Sequence, residues 1–264
     1  MKEQHYSIKT HSYNEDRFVV KDNFFAVIDG ASGLKKEEKD GVGTKASRLS
    51  SFVKSELLKY KGVFSEENLI NLSVKAHNLK HEQEVSCGIS IAQIVNDKLN
   101  LFFVGDCNII VKFLDGSVKT FRQDKLTKLD DFALSQMIKY AEENHLSIKK
   151  ARQELNEILI KHRNLKNLPD GYWVFEPNKF PNFVVDFYSI PISEITSVIL
   201  CTDGFSQCYE KLGIFKNEVE LINSELSIKD ICKLIKKISF ADKNCNAYPR
   251  FKTLDDTTAI KLDF

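Results

Sequence analysis

Hydrophobic residues recur along the chain with two different periods, and the changes of period predict where strands and helices lie. Short runs rich in β-branched and aromatic residues predict strands, and apolar residues spaced by three and four predict amphipathic helices. A Ser-Glu-Glu-Asn sequence at 65–68 is typical of a helix start. The first third of the chain is therefore predicted to contain strands at 17–21 and 23–28 and helices at 43–60 and from 65 to about 81.

The middle of the chain switches to the strand period. Four apolar runs within residues 86–123 are separated by Asn-Asp, Gly-Asp and Asp-Gly pairs, which predicts an antiparallel meander. The run 99–104 is mostly apolar, so burial on both faces of the sheet is expected. Helical spacing returns at 130–163, with Asp130 and Asp131 as expected caps. Strands are then expected at 183–190, 196–201 and within 255–264, and helices at 216–224 and 227–240.

This order of elements predicts an α+β fold. Strands lie towards both ends of the chain, helices lie between them, and antiparallel sheets covered by helices satisfy both. No repeat, linker or low-complexity segment interrupts the sequence, so residues 1–264 are interpreted as a single domain.

Composition excludes several classes of protein. The 38 basic and 37 acidic residues give a net charge of +1, which argues against a nucleic-acid partner. No stretch is long and apolar enough to span a membrane, and the polar N-terminal sequence lacks a signal-peptide core. The six cysteines form no Cys-x-x-Cys pair, which favours reduced thiols and a cytoplasmic location.

Acidic residues stand at the ends of predicted core strands. Asp29, Asp106 and Asp203 each follow an apolar run, and Asp255 precedes the last strand. If their carboxylates converged, they would repel one another unless they were protonated or held cations. Mg²⁺ and Mn²⁺ are the hard ions that prefer such oxygen ligands. The ordinary interpretation, in which Asp-Gly pairs only form turns, stays open because sequence spacing cannot demonstrate convergence.

An ordered set of motifs extends this observation. The sequence NED at 14–16 is followed by FAVIDGASG (25–33), SCGIS (86–90), VGDCN (104–108), CTDGFSQ (201–207) and DDTTAI (255–260). The set resembles the PP2C-type metal-dependent serine/threonine phosphatases over residues 12–264. The resemblance implies a four-layer αββα sandwich with two central antiparallel sheets and a flap-like insertion at about 125–180.

The resemblance also implies a metal centre. Asp29 would bridge two Mg²⁺ or Mn²⁺ ions, the Gly30 carbonyl would bind one of them, and Asp203 and Asp255 would complete the second. Asp106 with Asp203 matches a third site, which is weakened because Gln207 stands where another Asp is expected. A water between the ions would attack a phosphate monoester. Asp29 and Asp203 are therefore the expected catalytic residues, because they would hold those ions.

Further residues are expected around that centre. Glu15 and Asp16 would hold metal-bound waters. His11 occupies the position of a phosphate-binding Arg and is expected to take part in substrate binding and catalysis. Arg163 and Asn167, in the insertion, are further candidates for contacting phosphate or peptide. The alternative to a phosphate contact by the insertion residues is an ordinary structural role.

The implied activity is the hydrolysis of phosphoserine and phosphothreonine in proteins. The expected partners are phosphorylated protein substrates and a cognate serine/threonine kinase or its targets. The alternative function is a catalytically weak or inactive relative that binds a phosphorylated partner.

Overall fold

Two five-stranded antiparallel sheets form the centre of the computed structural model, which describes residues 1–10, 12–32, 43–81 and 84–264. Sheet I has the order β1 (Lys2–Ile8), β10 (Thr257–Asp263), β9 (Ile195–Cys201), β6 (Asn108–Phe113), β7 (Val118–Phe121). Sheet II has the order β2 (Arg17–Lys21), β3 (Phe24–Ala31), β4 (Ser86–Val95), β5 (Lys98–Val104), β8 (Asp186–Pro191).

Alternating side chains of the strands build the core between the sheets. In β3, Phe25 and Val27 point into the layer that also holds Ile109, Leu200 and Ile260 of sheet I, and all five are fully buried. Their neighbours along β3 pack on the opposite face against helices. Because both faces are covered, the central strands are apolar at consecutive positions, as the sequence predicted.

Helices cover the outer faces of both sheets. The outer face of sheet II packs against α1 (Lys45–Lys59) and α2 (Glu66–Asn78). The outer face of sheet I packs against α6 (Asp203–Glu210), α7 (Glu218–Ile222) and α8 (Ile228–Ala241). The predicted α+β fold with four αββα layers is therefore confirmed.

A helical segment lies between β7 and β8. It contains α3 (Asp124–Glu143), α4 (Ile148–Glu154) and α5 (Asn156–Arg163), which bury their own small apolar cluster. This helical segment falls within the predicted insertion of about 125–180. Within the described parts of the chain, no helix is long and apolar enough to cross a bilayer.

The predicted meander is wrong in its connectivity. Its four strands exist, but β4 and β5 pair in sheet II whereas β6 and β7 pair in sheet I. The Gly105-Asp106 pair carries the chain from one sheet to the other instead of closing a hairpin. Gly105 has φ +88° and approaches Gly88 so closely that a Cβ would lie 2.5 Å from the Gly88 Cα.

One other prediction needs correction, and two elements were not predicted. Strand β1 was not expected, and it forms at the sheet edge by pairing with β10. The single helix at 130–163 is three helices, and α3 begins at Asp124, so Asp130 and Asp131 lie inside it and do not cap it. Helix α6 was not predicted, and it begins directly at Asp203 after β9.

Candidate metal centre

Four acidic side chains from four separate segments meet at one end of the sandwich. Asp29 lies near the end of β3, Asp106 on the crossing between the sheets, Asp203 at the start of α6, and Asp255 just before β10. All four line the same cavity, whose volume is about 400 Å³. They converge because the two packed sheets bring the ends of β3 and β9 and the start of β10 to the same edge.

The acids cannot all be ionised as they stand. Burial, followed by the charges of Asp255 and Asp106, raises the pKa of Asp203 to about 8. Burial, followed by the charge of Asp203, raises the pKa of Asp29 well above its usual range. The cluster therefore requires either protons or bound cations.

The donor set fits a hard divalent cation. Asp29 Oδ2 is buried and has no hydrogen-bond partner among the described residues, which is costly for a carboxylate oxygen unless a ligand meets it. Oxygen atoms of Asp29 and Asp106 lie within 4.8 Å of each other and of Cys107 Sγ. Several carboxylates around one cavity are the ligands that Mg²⁺ and Mn²⁺ prefer.

Close backbone packing fixes the first of these acids. Gly30 follows Asp29, and a Cβ at this glycine would lie 2.8 Å from the Glu15 carbonyl oxygen and 3.0 Å from that of Ala46. Only glycine lets the three backbone segments approach so closely. This tight packing fixes the backbone that carries Asp29 and the Gly30 carbonyl, which is the expected metal ligand.

A buried acid supports the segment that carries Glu15. Asp256 accepts hydrogen bonds from the Thr10 amide (2.8 Å), the Thr10 hydroxyl (2.9 Å) and the Glu15 amide (2.6 Å). The Ser32 hydroxyl then donates to Glu15 Oε1 at 2.7 Å. Asp256 therefore helps to hold Glu15 at the cavity wall.

One lysine neutralises part of the acidic cluster. Lys252 Nζ lies 3.0 Å and 2.7 Å from the two oxygens of Asp255, and about half of its side chain is exposed. A divalent ion that binds Asp255 would have to displace this ammonium group. Lys252 then becomes available to an anion in the cavity.

Basic side chains from the helical segment also line the cavity. Arg152 and His162 each have a buried ring or guanidinium nitrogen, Nε and Nδ1, without a partner among the described residues. Arg163 lines the same wall and donates to the Ser32 carbonyl. Burial, followed by the charge of Arg163, lowers the pKa of Arg152. Burial lowers the pKa of His162, which keeps its imidazole neutral near pH 7. The two guanidinium groups carry the positive charge here and favour an anionic ligand.

Not every residue predicted from sequence reaches the cavity. Glu15 lines the cavity, whereas Asp16 is only 2% exposed and accepts a hydrogen bond of 2.9 Å from the Thr202 hydroxyl below it. Asn167 is not at the cavity either: it is buried, and its Oδ1 accepts from the Val174 amide at 2.9 Å. The structure thus favours the structural role for Asn167. His11 lies outside the described residues.

Sequence reasoning missed several residues of this site. Lys252 and Arg152 carried no motif, and only their position on the cavity wall identifies them. Asp130 was read as a helix cap, but it faces the cavity, and burial followed by the charge of Asp106 raises its pKa to about 7. Cys107 had a weak signal, since it directly follows Asp106 in the motif VGDCN.

Solved structures with the same fold are bacterial phosphatases. No protein family and no curated protein sequence matches this chain at the sequence level. The serine/threonine phosphatase Stp1 from Staphylococcus aureus superposes with a TM-score of 0.58 at 14% identity, covering 100% of this chain and 94% of Stp1.

Two further structures agree with that similarity. The catalytic domain of the serine/threonine phosphatase PstP, in complex with two manganese ions, has a TM-score of 0.56 at 12% identity and covers 99% and 97% of the two chains. PppA, a regulatory component of the type VI secretion system in Pseudomonas aeruginosa, has a TM-score of 0.57 at 12% identity and covers 100% and 97%. The chain therefore has the fold of bacterial PP2C-type serine/threonine phosphatases, as its motifs implied.

Proposed function

We propose that this chain, which has the PP2C-type phosphatase fold, is a metal-dependent serine/threonine phosphoprotein phosphatase. The observation that carries the proposal is the convergence of Asp29, Asp106, Asp203 and Asp255 on one cavity, with a buried, unpartnered oxygen on Asp29. A phosphate monoester is an anion, so acids can form its binding site only when they hold cations.

Different acids would bind different ions. Asp29, Asp203, Asp255 and the Gly30 carbonyl would hold two Mg²⁺ or Mn²⁺ ions, and Asp106 with Asp203 would contribute to a third. When bound, these ions supply an activated water and neutralise the phosphoryl oxygens. Glu15 from the wall, and Asp16 behind it, would hold water molecules at the ions.

The cations of the helical segment would bind the substrate. Arg163 and Arg152 line the same cavity as the acids, and a guanidinium group can donate two hydrogen bonds to a phosphate. His11 is proposed as a further hydrogen-bond donor to the phosphate, because it occupies the sequence position of the phosphate-binding Arg. Asn167 would support this wall indirectly by holding the turn that leads to Val174.

The proposed substrates are proteins that carry phosphoserine or phosphothreonine. A serine/threonine kinase must generate them, so a cognate kinase or its targets are the proposed partners. The six cysteines are unpaired and buried, which supports the reducing cytoplasm as the proposed location.

The proposal is tested by metal-dependent hydrolysis. The full chain should release phosphate from an aromatic phosphate ester and from a phosphothreonine peptide in the presence of Mn²⁺. Turnover should stop with a chelator and return when Mn²⁺ is restored in excess. Tight binding of the phosphopeptide without metal-dependent turnover would instead support the alternative, an inactive relative that binds a phosphorylated partner.

Arg152 should contribute to substrate binding. We expect Arg152→Gln to raise the KM for a phosphothreonine peptide by about ten- to a hundredfold, because a hydrogen bond to a charged group is worth about 1.5–3 kcal/mol. The value of kcat should change much less if Arg152 contacts substrate and transition state alike. Steady-state kinetics with Mn²⁺ measure both parameters.

The exposed Lys161 offers a matched control, since it lies on α5 but does not line the cavity. Lys161→Gln removes the same charge from the helical segment and should leave KM within about twofold, apart from weak long-range effects. Equal KM values for the two variants would show that Arg152 does not contact substrate.

A further inference from the structure

A thiol lies among the acids of the candidate metal centre. Cys107 follows Asp106 on the crossing from β5 to β6, and it is fully buried. Its Sγ and one carboxylate oxygen each of Asp29 and Asp106 lie within 4.8 Å of one another. We call these three residues the thiol–carboxylate group. The Ser90 hydroxyl donates to the Cys107 carbonyl at 2.9 Å and helps to hold this backbone in place.

Two observations distinguish Cys107 from an ordinary core cysteine. The buried Asp29 Oδ2 has no hydrogen-bond partner among the described residues, so the group contains an unsatisfied ligand atom. Gly88 lets the side chains of Asp106 and Cys107 lie close to the β4 backbone. A Cβ at this position would lie 2.2 Å from Asp106 Oδ1 and 3.3 Å from Cys107 Sγ. Cys107 also packs at the apolar core between the sheets, as Cys201 and Cys208 pack in the apolar cluster under α6 and α8, but among the described residues only the sulfur of Cys107 is grouped with two carboxylate oxygens.

We propose that Cys107 is a metal ligand which, with Asp29 and Asp106, gives this centre a site for thiophilic divalent ions such as Zn²⁺ and Co²⁺. The inference rests on the proposed metal centre. Sulfur and oxygen ligands of a tetrahedral zinc ion lie about 3.6 Å apart, given typical bond lengths. Separations of up to 4.8 Å therefore need shifts of only about an ångström.

Ligand chemistry sets the selectivity of this site. On binding, the thiol releases its proton to solvent and the sulfur donates its electron pair to the ion, so no oxidation or reduction takes place. Thiolate favours Zn²⁺ and Co²⁺, whereas Mg²⁺ favours the oxygens alone. The centre should thus retain Zn²⁺ and Co²⁺ more tightly than four carboxylates would by themselves.

The test uses the full chain, stripped with a chelator and then titrated with Co²⁺. A near-ultraviolet thiolate-to-cobalt charge-transfer band is expected in the wild type and should be absent in Cys107→Ser. Competition titrations should give a Zn²⁺ affinity at least about tenfold lower in Cys107→Ser. The Mg²⁺ affinity should change by less than about twofold. Circular dichroism checks that the variant is folded, and Cys107→Ala replaces it if it is not.

Cys87→Ser is the matched control. Cys87 is also a buried thiol near Asp106, but it lies on β4 outside the thiol–carboxylate group. Its replacement should leave the cobalt band intact. A band that disappears in Cys87→Ser and persists in Cys107→Ser would overturn the assignment.

The outcome separates this inference from the proposed function. A wild type with Mn²⁺-dependent phosphatase activity but no thiolate–cobalt band would overturn the role of Cys107 and leave the function standing. A wild type that binds neither Co²⁺ nor Mn²⁺ would overturn both.

Discussion

Asp203→Asn should abolish metal-dependent phosphatase activity and, at the same time, stabilise the metal-free protein at alkaline pH. Loss of a carboxylate that holds a catalytic ion is expected to lower kcat/KM by about a hundred- to a thousandfold or more. The gain in stability follows because the variant removes one charge from a cluster of acids that repel one another.

The effect on stability depends on pH in a defined direction. The pKa of Asp203 is about 8 in the folded protein, whereas an unfolded aspartate has a pKa of about 3.9. A raised pKa means that the folded state binds its proton more tightly, so this contribution is complete below pH 4 and is lost as pH rises to about 8. Metal-free wild type should therefore lose stability between these values, and Asp203→Asn should lose less, because its neutral amide removes this one contribution.

Thermal melts in chelator and in Mn²⁺ measure this prediction. In chelator, Asp203→Asn should melt a few degrees above wild type at pH 8 and close to it at pH 4. In saturating Mn²⁺ the order should reverse, because only the wild type gains the full binding energy. The exposed Asp170 offers a control, since Asp170→Asn removes a charge that does not line the cavity. Retention of Mn²⁺-dependent turnover by Asp203→Asn would contradict the proposed ligand set.

Gly204→Ala should destabilise the protein severely, although alanine normally stabilises a helix. Gly204 is the second residue of α6, where the usual replacement of glycine by alanine gains about 1 kcal/mol. Here the new Cβ would lie 1.9 Å from the Asp256 carbonyl oxygen, a backbone atom that cannot simply rotate away. We expect a loss of about 3 kcal/mol in the free energy of unfolding and a melting temperature about 10 °C lower.

The same clash should weaken metal binding, because the displaced backbone carries Asp255 and Asp256. Urea unfolding gives the stability, and a Mn²⁺ titration gives the affinity. Gln207→Ala is the control, because Gln207 lies in the same helix and its replacement adds no atom against the backbone. It should change the free energy of unfolding by about 0.5 kcal/mol or less. A Gly204→Ala variant as stable as wild type would mean that the segment before β10 packs more loosely against α6 than the structure indicates.

Local sequence determined the elements of this protein well. The spacing of apolar residues predicts β2, β3, β4, α1 and α2, and the capping box of Ser65 and Asn68 marks the start of α2. Such signals depend only on neighbours within a few positions. The α+β class and the list of candidate acids followed in the same way. The ordered motifs then supplied the four-layer sandwich, which the structure confirms.

Only the tertiary structure decided how those elements connect. The same Gly-Asp signal can close a hairpin or, as at Gly105, carry the chain between two sheets, and long-range packing against Gly88 decides which occurs. Strand β1 exists because β10, at the other end of the chain, pairs with it. Neither contact leaves a periodic trace in the local sequence.

The site divides along the same line. The sequence by itself identified Asp29, Asp203 and Asp255 as acids at the ends of core strands, because a charged residue beside a buried apolar run is a local anomaly. Only the packing of the two sheets decided that these acids share one cavity with Arg152 and Lys252, and that the Cys107 thiol lies beside the carboxylates of Asp29 and Asp106. A residue that meets its site through space leaves no mark on its neighbours in sequence, so its chemistry becomes visible only in the folded chain.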